Sequence, residues 1–459
     1  MRIAVAALVA LAAFVAGGLA GSGSVHPDGA RALAASRAES VRTPAAPRYT
    51  VELAGDASGS GWTGHERVGF TNVSAAPLGE VYLRLWGNAH GTCSAPPIEV
   101  SEVTGGVPAG LSVGCTALRI VLGKPLRRGE GATIGFRLRI RVPAGIDRFG
   151  HDGDHAFLGN ALPVLAVRDG TGRHLDPYTN TGESFYSLAA DFDVTLEHPS
   201  NLRVPATGTS VDRPGAPGRT VTTATARDVR DFAWAAGPFT GVSGASATGV
   251  EINVYADAGV DSADVRAMLD VARTAVDAHA GRFGAYPYTE LDVVLDDDLW
   301  FSGMEYPGFV LDRVRPTALV HELAHQWWYG IVGNDEYGDP WLDESFAEYA
   351  TDLALGKTGE GCGSELSWAA PTERITNSMR YWDAHPKRYE TVVYDYGKCA
   401  LHELRRLIGE PAMETLLRDY VTAHRYGIST TAAFKKAAKA ATSRDLTPFW
   451  ARYRIDGRR

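Results

Sequence analysis

The chain has 459 residues, a formal net charge of −9 at pH 7, 45% hydrophobic and 22% charged residues. That length suits two or three domains, and that balance suits chains that bury a core, so disorder over most of the length is excluded. The net charge leaves no basic surplus to grip phosphates, and nucleic acid is not expected as a main partner.

The first element is an uncharged apolar run after Arg2 that gives out in Gly17, Gly18, Leu19 and Ala20. It reads as a secretory signal peptide over residues 1–20. The alternative is an uncleaved anchor, but the run falls short of the ~20 apolar residues a span needs. Residues 21–47, rich in Ala, Ser, Gly and Pro, read as a disordered leader. No second apolar run of spanning length follows, so no stable membrane span is expected once the signal is cleaved. The expected location is secreted, extracellular or attached at the cell surface.

From residue 48 to 245 the pattern is strand-like. In TIGFRLRIRV, Ile134, Phe136, Leu138, Ile140 and Val142 alternate with Gly135 and three arginines, which puts one face on a core and one in water. EVYLRLW at 80–86 and DFDVTL at 191–196 repeat the pattern between turns rich in Gly, Pro and Asp, and together they predict an antiparallel β-sandwich or saddle. After residue 246 the character changes. EINVYAD and LDVVLDD read as strands around a helix over 262–282. A helix opening at Pro316 and Thr317 is expected to run to about Gly330, and Asp339 with Pro340 reads as the start of another that stops at Gly356. Helical patterns recur at 398–408, 411–424 and 430–441. The predicted fold class is multidomain α+β, an all-β half over 48–245 followed by a mainly helical half over 246–459.

Cys93, Cys115, Cys362 and Cys399 make an even count, which in an exported chain favours disulfides. Of three possible pairings, Cys93 with Cys115 and Cys362 with Cys399 close the shortest loops and respect the split between halves. Free buried thiols are the alternative. With no Cys-x-x-Cys spacing, a thiolate zinc site is not expected.

His321-Glu322-Leu323-Ala324-His325 carries the chemistry. Histidines four apart on a helix are only ~40° apart around it, so both imidazoles leave one face and can hold Zn²⁺. Glu322 sits beside the pair, where it can reach a zinc-activated water without ligating the metal. A catalytic zinc needs a third protein ligand and one open position, and Glu344 in the next helix, WLDESFAEYATDLALG, is the candidate. Two readings of Glu348, one turn further on, stand level: a hydrogen bond to a ligand histidine, or an exposed charge.

HELAHQWWYG followed by WLDESFAEYA resembles the aminopeptidase N family of gluzincin metallopeptidases, which includes leukotriene hydrolase. Gly303-Met304-Glu305-Tyr306-Pro307 resembles that family's Gly-x-Met-Glu-Asn motif, Tyr396-Gly397-Lys398-Cys399 its Tyr-x-Lys-Gly, and ARDVRDFAWAAG at 226–237 the end of its N-terminal sandwich. The sequence departs in having Tyr306 for Asn and Cys399 for Gly, the latter in keeping with a Cys362 disulfide. It also ends before the large C-terminal helical domain of longer members, so the expectation is a short member with a more open site.

The resemblance implies a thermolysin-like catalytic domain. It implies one Zn²⁺ per chain on His321, His325 and Glu344, with Glu322 as general base and Tyr396 as the phenol facing the developing oxyanion; Tyr394 is the rival for that role. It implies Glu305 as the anchor for a substrate α-ammonium, Gly303 and Met304 as an edge for the substrate backbone, and Glu183 as a second amine contact. The expected partners are peptides with a free N-terminus, and the expected state is a monomer. An endopeptidase resembling thermolysin is the alternative within the same chemistry, and a non-catalytic binding module on the same fold is the alternative outside it.

Overall fold

The computed structural model describes residues 41–363 and 365–455. The signal peptide expected over 1–20 and most of the leader expected over 21–47 lie outside the described residues. Within 41–47, Thr43 and Ala45 are paired with other segments. Thr43 exchanges backbone hydrogen bonds with Arg168, and the first strand already runs from Ala45 to Gly55.

Period-two patterning builds the first half. In the strand Gly131–Arg141, Ile134, Phe136, Leu138 and Ile140 are buried, whereas Arg137, Arg139 and Arg141 are exposed. This strand sits in a seven-stranded sheet. Its spatial order is Thr209–Pro214, Arg219–Val229, Ala190–Pro199, Ala45–Gly55, Gly61–Thr71, Gly131–Arg141 and Ile98–Thr104. All neighbours are antiparallel except Ala45–Gly55 with Ala190–Pro199, where Arg48 stands opposite Asp191 in parallel register. A four-stranded sheet built on Leu78–Arg84, Gly106–Ser112 and Ala117–Leu126 packs on it. Val51, Val68 and Phe136 of one sheet share a core with Val81, Leu83 and Ile120 of the other. Cys93 is bonded to Cys115 in this half and Cys362 to Cys399 in the other.

The second half begins earlier than residue 246. Thr240–Ala245 is already an edge of its five-stranded sheet, paired with Glu251–Ala256, followed by Glu290–Leu295, Phe309–Asp312 and the short outer strand Gly303–Met304. Helix α1, Ser262–Phe283, starts at an Asp261 cap that accepts from the Ala263 N–H and lays Val265, Met268, Ala272 and Val276 on the core. Helix α2, Pro316–Ala324, opens on proline as expected but stops six residues before Gly330. The chain then widens into a turn over Gln326–Ile331, because Trp328 and Tyr329 leave helical dihedrals. Helix α3 runs from Trp341 to Ala354, and Gly356, at φ 71°, follows its end. Later helices occupy Gly397–Ile408, Glu410–Ala423 and Thr431–Ala440.

A third cluster joins the halves: Phe157, Ala233 and Ala235 of the β half pack with Met304, Tyr306, Phe309 and Leu311 of the other. It lies directly behind the Gly303–Tyr306 segment. Among the described residues, no helix is long and apolar enough to cross a membrane.

Candidate active site

Helices α2 and α3 face each other because each buries an apolar stripe. Leu319, Leu323 and Ala324 serve α2, and Trp341, Phe346, Ala347 and Ala350 serve α3. The polar residues left between them are His321, His325 and Glu344. Nε2 of His321 lies 3.2 Å from Oε2 of Glu344, Nε2 of His325 lies 3.4 Å from the same oxygen, and the two Nε2 atoms are 3.0 Å apart. Three ligand atoms on a tetrahedral zinc with bonds of ~2.0–2.1 Å stand about 3.3–3.4 Å from one another. The far side of each ring is fixed too. Nδ1 of His325 meets the Trp328 carbonyl at 3.1 Å, which the widened turn after α2 brings into reach, and Nδ1 of His321 lies 3.1 Å from Oε1 of Glu348. Glu348 is held in turn by Lys398 at 3.1 Å. Both imidazoles therefore aim Nε2 at the carboxylate, and a buried pair of imidazoles plus one carboxylate is a donor set that fits Zn²⁺.

Electrostatics single out the same groups. Against the cost of burial, hydrogen bonds to Glu344 raise His321 to about 10, while Glu305 and Glu344 raise His325 to about 9. Hydrogen bonds with the two histidines hold Glu344 far below the ordinary carboxylate range despite its burial. Glu348, half-buried, is drawn down to about 2 by His321 and Lys398. Glu322 and Glu305 go the other way: burial pushes Glu322 well up, with Glu305 adding like-charge repulsion, and burial pushes Glu305 to about 7. A carboxyl raised in this way suits proton transfer near neutral pH.

These residues line one cavity of about 450 Å³, into which Glu183, Gly303, Met304, Glu305 and Tyr394 also project. Gly303 is there for space, since a Cβ on it would collide with the Glu322 carboxylate. The strand Gly303–Met304 pairs on one side with Phe309–Asp312 and is outermost in its sheet, so its other edge faces the cavity. Glu183 is engaged in a buried ion pair with Arg148 at 2.5 Å, and Arg148 also touches the Met304 sulfur at 3.2 Å.

The structure corrects the tyrosine. Tyr396 points away from the metal ligands. Its hydroxyl donates to the Ser367 carbonyl at 3.1 Å and accepts from the Ser367 N–H at 3.0 Å, with its ring against Trp368. Tyr394 lines the cavity, its ring stacked 5.9 Å from that of His321. Residues two apart on a helix lie about 200° apart around it, so only one of the two can face the site. Arg148 and Gln326 are site neighbours that the sequence reading missed. Gln326, one residue past His325, accepts from the Gly308 N–H at 2.8 Å and donates to the Tyr306 carbonyl at 3.2 Å, so it clamps the loop that carries Glu305. Its place beside His325 was a signal. Nothing local marked Arg148.

Two histidines and a glutamate on two packed helices, with a buried glutamate beside them in an open cleft, match the arrangement of a gluzincin-type zinc site. Residues 268–453 match the peptidase family M1 domain. Aminopeptidase N of Streptomyces lividans is 26% identical over 219 residues, 40% of this chain and 25% of that protein. Human endoplasmic reticulum aminopeptidase 1 is 26% identical over 227 residues, 41% of this chain and 23% of that one. The chain spans about a quarter of the length of the first of these relatives. An M1 zinc metallopeptidase from Deinococcus radiodurans superposes with a TM-score of 0.65 at 20% identity, over 90% of this chain and 92% of that one. A two-domain M1 zinc metallopeptidase mutant bound to L-tryptophan gives 0.67 at 19% identity, over 90% and 95%. The fold is thus that of a two-domain M1 metallopeptidase.

Proposed function

We propose that the protein is a secreted, monomeric zinc aminopeptidase that binds one metal ion per chain and removes the N-terminal residue of peptides. The observation that carries this reading is the convergence of His321, His325 and Glu344 beside Glu322, in the same cleft as the free carboxylate of Glu305. Zinc held by those three side chains supplies a Lewis acid that polarises water and the scissile carbonyl. Glu322 accepts the proton from the attacking water and returns it to the leaving amine. The Tyr394 phenol donates a hydrogen bond to the carbonyl oxygen as negative charge builds there. Glu305 receives the substrate α-ammonium in a charge-assisted hydrogen bond, which sets the cut one residue from the N-terminus. The open edge of Gly303–Met304 holds the substrate backbone as an added strand. Glu183, already paired with Arg148, contributes to the negative field around the ammonium rather than acting as a lone anchor.

Two disulfides support an oxidising compartment. Two peptide amides that differ only in N-acetylation test the activity. The reading expects hydrolysis of the free-amine form and little or none of the blocked one. Equal cleavage of both favours an endopeptidase, and cleavage of neither by zinc-loaded protein favours a binding module.

A further inference from the structure

Tyr306 stands at the position of asparagine in the Gly-x-Met-Glu-Asn motif that residues 303–307 resemble, and nothing in the proposed chemistry uses its phenol. The side chain is nonetheless 2% exposed, and it crosses from the catalytic half into the β half. Its hydroxyl enters a notch over Gly159, where any Cβ would collide with the ring and its oxygen. There it donates to Oδ1 of Asn160 at 2.9 Å. Asn160, in the left-handed region at φ 53°, uses Nδ2 to donate to Asp231, whose other oxygen accepts from the Phe232 N–H at 2.7 Å. Asp231 is anchored in the β half, so the chain of hydrogen bonds ends in rigid structure. On the opposite side, Gln326 clamps the carbonyl of Tyr306. Glu305 is the residue between Met304, packed in the shared cluster, and this doubly held tyrosine.

We propose that Tyr306, seated in the Gly159 notch and tied through Asn160 to Asp231, is a positioning residue by which the β half fixes the Glu305 carboxylate and so sets the site's preference for a free N-terminal amine. The inference rests on the assignment of Glu305 as the amine anchor. A carboxylate that must meet an ammonium within a few tenths of an ångström loses discrimination when its backbone is free to drift. Removing the phenol oxygen leaves the ring packing in place and releases only the tie.

The test uses the full zinc-loaded chain and two competitive inhibitors, L-leucine hydroxamate and the same hydroxamate lacking the amino group. The ratio of their inhibition constants measures amine recognition apart from turnover. Tyr306→Phe and Asn160→Ala are each expected to cut that ratio roughly tenfold, the scale of one weakened charge-assisted hydrogen bond. KM for a free-amine substrate is expected to rise while kcat stays within about threefold. The double variant is expected to lose no more than the stronger single one, because the two residues act in one chain. An unchanged ratio in both single variants overturns the proposal. Equal weakening of both inhibitors also overturns it, since that marks general damage rather than a displaced anchor. Tyr306→Phe keeps the packing, so it reports even if Asn160→Ala fails to fold. A wild-type protein with no amine preference overturns the anchor assignment itself, an outcome distinct from failure of the tie.

Discussion

Replacing Tyr394 and Tyr396 by phenylalanine, one at a time, separates two residues that sequence alone leaves in competition. Tyr394 is in the cavity beside His321 with its hydroxyl on the Glu344 carboxylate, at the ligand cluster, whereas the Tyr396 hydroxyl is spent on both backbone groups of Ser367. A donor aimed at developing oxyanion charge is worth ~2.7–4 kcal/mol, so Tyr394→Phe is expected to lower kcat about 10²–10³-fold. KM should move little, because the bond strengthens only in the transition state. Tyr396→Phe removes two hydrogen bonds worth roughly 0.5–1.5 kcal/mol each to stability, and it should melt earlier at nearly unchanged kcat. Steady-state kinetics on an aminoacyl fluorogenic substrate, with a thermal melt of each variant, reads both effects. If Tyr394→Phe kept kcat within threefold, or Tyr396→Phe took the hundredfold loss, the geometric assignment would be wrong.

Glu348→Ala frees Nδ1 of His321 and should weaken zinc binding about 10–100-fold, read by competition with a chromogenic chelator; unchanged affinity would make the 3.1 Å approach incidental. Glu322→Gln should keep its zinc and lose nearly all turnover, and activity retained in the metal-replete variant would remove Glu322 from proton transfer. His279 is fully buried, with Nε2 on the Val320 carbonyl at 3.0 Å, and burial lowers it to about 4. Folding therefore favours its neutral form. Its contribution is complete above pH 6.5 and is lost as pH falls toward 4, a loss of roughly 3 kcal/mol. Urea titrations of wild type and His279→Gln across that range should show the steeper decline in the wild type, and parallel curves would refute the assignment.

Much of this site was legible in the sequence because its parts are periodic. The four-residue spacing of His321 and His325, and the helix carrying Glu344, place ligands on faces without knowledge of the fold. The strands with alternating arginines were readable for the same reason. What sequence missed depends on long-range packing or on a break in period. No proline or glycine marks the end of α2 at Ala324; the break follows from the backbone at Trp328 and Tyr329, both of which are buried. Tyr394 and Tyr396 differ only in which way their segment turns. Thr240–Ala245 reads as one more strand of the β half, and only its partner, Glu251–Ala256, assigns it to the other sheet. Arg148, Gly159 and Asn160 reach the site from more than a hundred residues away, and no local pattern could place them there.

Zinc content of protein purified without added metal, measured alongside His321→Ala, His325→Ala and Glu344→Ala, tests the central claim most directly. The account predicts about one zinc per wild-type chain and substantial loss in every variant, with activity lost in parallel. Equal zinc in all four proteins, or full peptidase activity in a zinc-free wild type, would contradict it.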